Sequence, residues 1–246
     1  MATWLGEATQ HLRELLPRLY QEGAELLSIS TLSCLARRLG YRWKRCRRSL
    51  RSQRDPEAFA ACQQQLRTVH QAEARGQVTV LYVDECRFSR NAPVPYAWQR
   101  QGQPPVELPA ARGKGGQSVL GFWQAGGTGQ PLQSYRRQGA FTAELFVAAV
   151  DEIRQDLRQP TVLVLDNASI HKAHLVQARQ AEWAARGLTF CYLSAYSPEL
   201  NKIERLWHRC KHYWIRPGDY LDEQTLLERV DDVLKRVGSD YTITLA

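Results

Sequence analysis

The apolar positions of this chain change period several times, and the changes divide it into segments. Leu12, Leu15, Leu16 and Leu19 recur at helical spacing, although Pro17 lies among them and predicts a bend or an end there. Leu32, Leu35, Ala36 and Leu39 form one face of a second helix, with Ser30 as the expected N-cap and Gly40 as the stop. Asp55-Pro56 breaks the pattern. Phe59, Cys62, Leu66 and Val69 then predict a connecting helix ending near Gly76. At Val78 the period shortens: VTVLYVD is a β-rich apolar run suited to a buried strand, and it closes on the acidic pair Asp84 and Glu85.

A Gly/Pro-punctuated stretch holding Tyr96, Trp98 and the run SVLGFW predicts two further strands in a meander. FTAELFVAAVDEIRQDL reads as a helix with Phe141, Leu145, Phe146, Ala149 and Ile153 on one side. TVLVLDN is a second buried strand ending on Asp166. A helix follows through Val176 to Trp183, then Gly187, a strand LTFCYL, a turn at Ser197-Pro198, and a helix IERLWHRCKHYW. A last amphipathic helix carries Leu226, Leu227, Val230, Val233 and Leu234. This succession predicts an α/β arrangement, a mixed sheet with flanking helices. The expected boundaries are a small helix-turn-helix or winged module over residues 1–56, a connecting helix over 57–76 and the α/β domain over 77–246.

Charge adds a partner to this picture. The formal net charge is +8, and nine cations with no acid lie between Arg37 and Arg54 (Arg37, Arg38, Arg42, Lys44, Arg45, Arg47, Arg48, Arg51 and Arg54), so the remainder of the chain is close to neutral. Such a stretch is either a solvated basic face or a phosphate-binding surface. Two short helices followed at once by YRWKRCRRSLR suit DNA binding by a helix-turn-helix with an arm or wing behind it. Six cysteines are scattered without a C-x-x-C pair, which argues against a zinc ribbon and against a secreted disulfide scaffold. Reduced thiols, no apolar run near about 18 residues and no signal-peptide pattern make the cytoplasm the expected location.

Two apolar strands each end on an aspartate, Asp84 and Asp166. In open α/β sheets functional groups gather at the carboxyl ends of strands. Two carboxylates brought together there repel and shift each other's pKa unless a cation sits between them. Mg²⁺ prefers oxygen ligands and retains waters for a phosphate substrate. Glu204, near the start of IERLWHRCK, is the third candidate ligand. A strand-end Asp also serves as the cap of a following helix, and Asp166 with Asn167, Ser169 and His171 behind it admits that alternative. His208 and His212 stand at a spacing that fits a metal pair, but no cysteine partner lies nearby, and neither they nor His171 and His174 are expected to hold zinc. Trp98, Trp123 and Trp207 are expected in the core.

Taken together, VLYVDECRF, VLVLDNASIHKA and YSPELNKIERLW resemble the three motifs of the mariner-like superfamily of DDE transposases, in its bacterial insertion-sequence branch. Thirty-seven residues separate Asp166 from Glu204, close to that family's short spacing. The likeness also takes in YAWQRQGQ and GSDYTITLA, and so runs from about Gly40 to the end. It implies a ribonuclease-H-like fold, with Asp84, Asp166 and Glu204 as the catalytic, metal-binding triad and two Mg²⁺ or Mn²⁺ ions per site. It implies double-stranded DNA as partner, both the element's terminal inverted repeats and the target, with a homodimer pairing two ends. Cleavage and strand transfer need no covalent protein–DNA intermediate. Glu85 follows the first aspartate in the family motif and is taken as support, not as a ligand. Lys202, Arg205 and Lys211, on or beside the Glu204 helix, join Arg37, Arg38, Arg42, Lys44, Arg45, Arg47 and Arg48 as candidate DNA contacts. The sequence departs from the family where prolines are usual, at Ser194, Ala195 and Lys202, and has room for about one of the usual two helix-turn-helix units. A catalytically silent DNA-binding repressor, or another nuclease of this fold, are the rival functions.

Overall fold

In the computed structural model, which describes residues 11–23, 27–43, 50–93, 96–108, 115–127 and 129–244, the chain forms two compact units, Met1–Ser49 and Leu50–Ala246. In the first, a 3-10 turn over Leu12–Leu15 leads into α1 (Leu16–Gln21), and α2 spans Ile29–Arg38. The Leu12–Leu19 stretch divides just before Pro17, into the 3-10 turn and α1. Pro17 sits at the start of α1, where its missing N–H would have no helical partner anyway. The cap of α2 is Ser28, not Ser30: its hydroxyl accepts from Thr31 N–H at 3.1 Å, and Ser30 lies inside the first turn. Leu15, Leu32 and Ala36 are buried. Arg37 and Arg38 occupy the last turn of α2 and are exposed, at the end where cations favour the helix dipole. Lys44, Arg45, Arg47 and Arg48 lie outside the described residues.

The second unit opens with α3 (Pro56–Ala74), for which Asp55-Pro56 is the starting signal: Asp55 accepts from Glu57 and Ala58 N–H, and Pro56 takes the first helical position. Its sheet has strands β1 (Thr79–Phe88), β2 (Gln117–Trp123), β3 (Leu132–Arg137), β4 (Thr161–Leu165) and β5 (Leu188–Tyr192) in the order β3-β2-β1-β4-β5. The β3, β2 and β1 ladder is antiparallel, while β4 and β5 join parallel to β1. Helices α4 (Ala143–Asp156) and α5 (His174–Ala185) cross between the parallel strands. The chain then reaches α6 (Ile203–Arg209), which widens into a π-helical turn over Cys210–Trp214, and α7 (Glu223–Lys235).

Alternation along β1 splits the core. Val80, Tyr82, Cys86 and Phe88 face α3, α6 and α7, whereas Val83 faces α4 and α5 together with Leu120 and Phe122. Three details differ from expectation. β1 runs four residues past Asp84, because β2 pairs with it as far as Phe88 while the ladder with β4 stops at Tyr82 and Val164. The second strand of the meander is LQSYRR. Tyr96 and Trp98 lie in a stretch without helix or strand, and Trp98 is fully exposed whereas Trp123 and Trp207 are buried. Among the described residues no helix is long and apolar enough to cross a membrane.

Candidate active site

Strand register brings the first two acids together. Tyr82 of β1 pairs with Val164 of β4 in parallel register, and two residues further along each segment stand Asp84 and Asp166. Side chains two apart share a face, and neighbouring strands are about 4.8 Å apart. Asp84 therefore sits at the point where β1 loses its parallel neighbour but keeps its antiparallel one.

Glu204 arrives in the first turn of α6, and that helix is pinned to the same face of the sheet. Ile203, Leu206 and Trp207 bury its inner side. Trp207 comes up against Gly121, the β2 residue paired with Asp84, so closely that a Cβ there would stand 2.7 Å from the indole ring and 3.1 Å from Ile203 Cδ1. Asn201 Nδ2 donates to Val83 O at 3.0 Å, tying the entry of α6 to the residue before Asp84. Asn167 Nδ2 donates to Leu193 O, joining the loop after β4 to the chain leaving β5.

Polar contacts brace the turn before α6. Ser194 and Ser197 hydroxyls are hydrogen-bonded at 2.9 Å. Arg54 donates to Tyr196 O at 3.1 Å and pairs with Glu199 at 2.6 Å. Tyr196 is held at φ 56°, a backbone conformation that a bulky residue keeps only when its surroundings impose it.

The charges at this site are coupled. Burial pushes the Asp84 carboxyl up to about 8, reinforced by the charges of Glu204, Glu85 and Asp166. Burial and the Asp166 charge also raise Glu204, opposed by the Lys211 ammonium. Asp166 goes the other way: the hydrogen bond from His171 and the Ala168 N–H hold it below the usual carboxylate range despite partial burial. Among the described residues no three His, Cys, Asp or Glu side chains stand close enough to grip one metal ion as they are. The three acids share a field without forming a closed cage, and Glu204 is exposed.

The basic candidates part company. Arg205 is exposed on α6. Lys211 turns towards the acids, its ammonium 5.6 Å from the Phe88 ring and near Glu204. Lys202 is half-buried, 5.4 Å from the Tyr82 ring, with Glu73 as its nearest counter-charge. Arg42 folds back on its own backbone, donating to Arg37 O and Tyr41 O. His208 and His212 stack on each other with ring centroids 4.3 Å apart.

His171 is the residue that sequence reasoning undervalued. Its side chain is fully buried, with Nδ1 3.0 Å from Asp166 Oδ1 and Nε2 3.0 Å from Glu85 Oε1. Burial opposes a charge on the ring, but the two carboxylates prevail and hold its pKa up to about 9. The available signal was D-N-x-x-x-H directly after a strand, which places an imidazole one turn of chain away from the acid. Weighing it as a zinc ligand or as part of a plain cap hid that role.

Residues 79–227 match the family described as DDE superfamily endonuclease. A curated relative, the insertion element IS630 uncharacterized 39 kDa protein of Shigella sonnei, is 26% identical over 191 residues, 71% of this chain. The chain spans about half the length of that relative (52%). Among solved structures, the mariner Mos1 paired end complex with Mg superposes with TM-score 0.58 at 14% identity, over 97% of this chain and 78% of that one. The corresponding complex with Mn gives 0.55 at 15% identity, with the same coverage. Identity at that level speaks for the fold, and the mixed sheet is the ribonuclease-H-like core expected from the sequence. Because the family match takes in more than half of the residues, the chain belongs to the DDE superfamily endonuclease family.

Proposed function

We propose that this protein is a DNA transposase that cleaves insertion-sequence ends and transfers them, using Asp84, Asp166 and Glu204 as a metal-binding triad. One observation carries it. Asp84 and Asp166 each stand two residues past the last parallel pair, Tyr82–Val164, and the helix bearing Glu204 is held against β2 by the Trp207–Gly121 contact. The donor set is all oxygen, which suits Mg²⁺ or Mn²⁺, and Asp84, raised first by burial and then by the charges of Glu204, Glu85 and Asp166, is a carboxylate that a divalent cation would help to ionise. Gripping it takes side-chain rotation, for which the exposed Glu204 has room.

Asp84, Asp166 and Glu204 would hold the divalent ions, whose chemistry would be activation of the attacking oxygen and charge compensation on the departing one. The chain's own part is positional and electrostatic. Asp166 is oriented from behind by Ala168 N–H and His171. Lys211 places positive charge at the rim, and with Arg205 it would meet DNA phosphates there. Arg37, Arg38 and Arg42, with Lys44, Arg45, Arg47 and Arg48 after them in the sequence, would supply the remaining phosphate contacts. Lys202, turned towards Glu73, is reassigned to holding α3 against the sheet. The Mos1 relatives are paired end complexes, and two copies of this chain on two DNA ends is the corresponding assembly. The bacterial relative would put that action on DNA in the cytoplasm.

Incubating the purified protein with Mg²⁺ and a duplex bearing an insertion-element end tests this function. Strand cleavage that disappears in Asp166→Asn is the expected result. Binding without cleavage by the unaltered protein would overturn it in favour of a DNA-binding repressor.

A further inference from the structure

Asp166 Oδ1 receives two donors, Ala168 N–H at 2.9 Å and His171 Nδ1 at 3.0 Å. A carboxylate oxygen has two lone pairs, so both are committed. The plane of the carboxylate is thereby fixed, and Oδ2 is the oxygen left for other partners. The ring that fixes it cannot drift: Nε2 is tied to Glu85 Oε1 at 3.0 Å, the ring lies 4.8 Å from that of Phe146, and the backbone carbonyl of His171 accepts from Tyr192 Oη at 2.8 Å. Glu85 belongs to the opposite face of β1 from Asp84, since successive strand residues alternate. It anchors the imidazole from the far side of the sheet and is engaged there.

We infer that His171 is a positioning residue, a strut from Glu85 to Asp166 that makes Asp166 a one-oxygen ligand through Oδ2 and keeps Glu85 out of the metal shell. This rests on Asp166 being a ligand at all. Hydrogen-bond partners behind a ligand typically contribute about 10–100-fold in metal affinity.

Two substitutions of equal polarity separate positioning from bulk structure. In His171→Asn the side-chain amide takes the place of Nδ1 and keeps the bond to Asp166. In His171→Gln it takes the place of Nε2 and keeps only the bond to Glu85. Mn²⁺ binding is measured without DNA, from the electron paramagnetic resonance signal of free Mn²⁺, beside Asp166→Asn and with thermal unfolding of every variant. The expected result is Mn²⁺ affinity near wild type for His171→Asn and about 10–100-fold weaker for His171→Gln, at similar melting temperatures. Weakening by Asp166→Asn but not by His171→Gln would overturn the strut alone, as would equal affinities in the two His171 variants. Unchanged affinity in Asp166→Asn would overturn the metal-site assignment and the strut with it.

Discussion

Asp84 is the residue whose environment is most clearly at odds with its charge. In the folded chain without metal its pKa is near 8, while an unfolded Asp titrates near about 3.9. Between those values the folded state holds a proton that the unfolded state has released, so stability falls as pH rises through that window. Asp84→Asn removes this dependence. With a chelator present, its melting temperature should exceed that of wild type at pH 8, with the difference shrinking towards pH 4, and added Mn²⁺ should stabilise wild type but not the variant. A wild-type melting temperature that is flat from pH 4 to 8 would show that Asp84 is not held buried beside other negative charges. The same residue illustrates what a chain of letters conceals. VTVLYVD shows an acid after an apolar run, but not that β1 continues to Phe88, because the continuation is imposed by pairing with β2, which comes much later in the chain.

At the scale of elements, the site depends on how closely α6 lies on β2. Gly121 has no Cβ, and the Trp207 ring takes that space. Gly121→Ala should push α6 outwards, destabilising the protein by about 1–3 kcal/mol, as overpacking in a tight core does. Cleavage should fall further than stability alone explains, since Glu204 travels with the helix. Chemical denaturation and a cleavage assay on the same preparation check this, and a variant as stable and active as wild type would remove the clamp from the account. Elements were legible where periodicity was local. The β4 and β5 strands and α5 and α7 match their apolar patterns, while in α4 the buried face is Phe146, Ala149, Val150 and Ile153, with Leu145 exposed and Phe141 ahead of the helix. β3 was not, since Leu132–Arg137 is an edge strand whose residues are only partly buried, leaving no apolar signature. The three acids could be read from their motifs. Gly121 could not, because Trp207 fills the space beside it from far along the chain; His171 was within reach of Asp166 by its motif, but its bond to Glu85, 86 residues away, was not.

For the molecule as a whole, charge and chemistry occupy separate units: the cationic stretch begins in Met1–Ser49, and the acids lie in Leu50–Ala246. Binding and cutting should therefore be separable. Replacing Arg37, Arg38 and Arg42 with Ala should weaken DNA binding and reduce the slope of log K against log salt by about 0.9 for each phosphate no longer neutralised, while Mn²⁺ affinity stays as in wild type. A salt titration of DNA affinity beside a Mn²⁺ titration makes the comparison, and an unchanged slope would move the DNA-binding surface elsewhere.

Whether Asp84, Asp166 and Glu204 meet on a shared cation is tested most directly by anomalous X-ray scattering from crystals of this protein soaked in Mn²⁺. Manganese is expected within about 2.0–2.6 Å of carboxylate oxygens from these residues, with Glu204 swung inwards and Asp166 engaged through Oδ2. Manganese seated on His208 and His212, or none at the acids under saturating Mn²⁺, would contradict it.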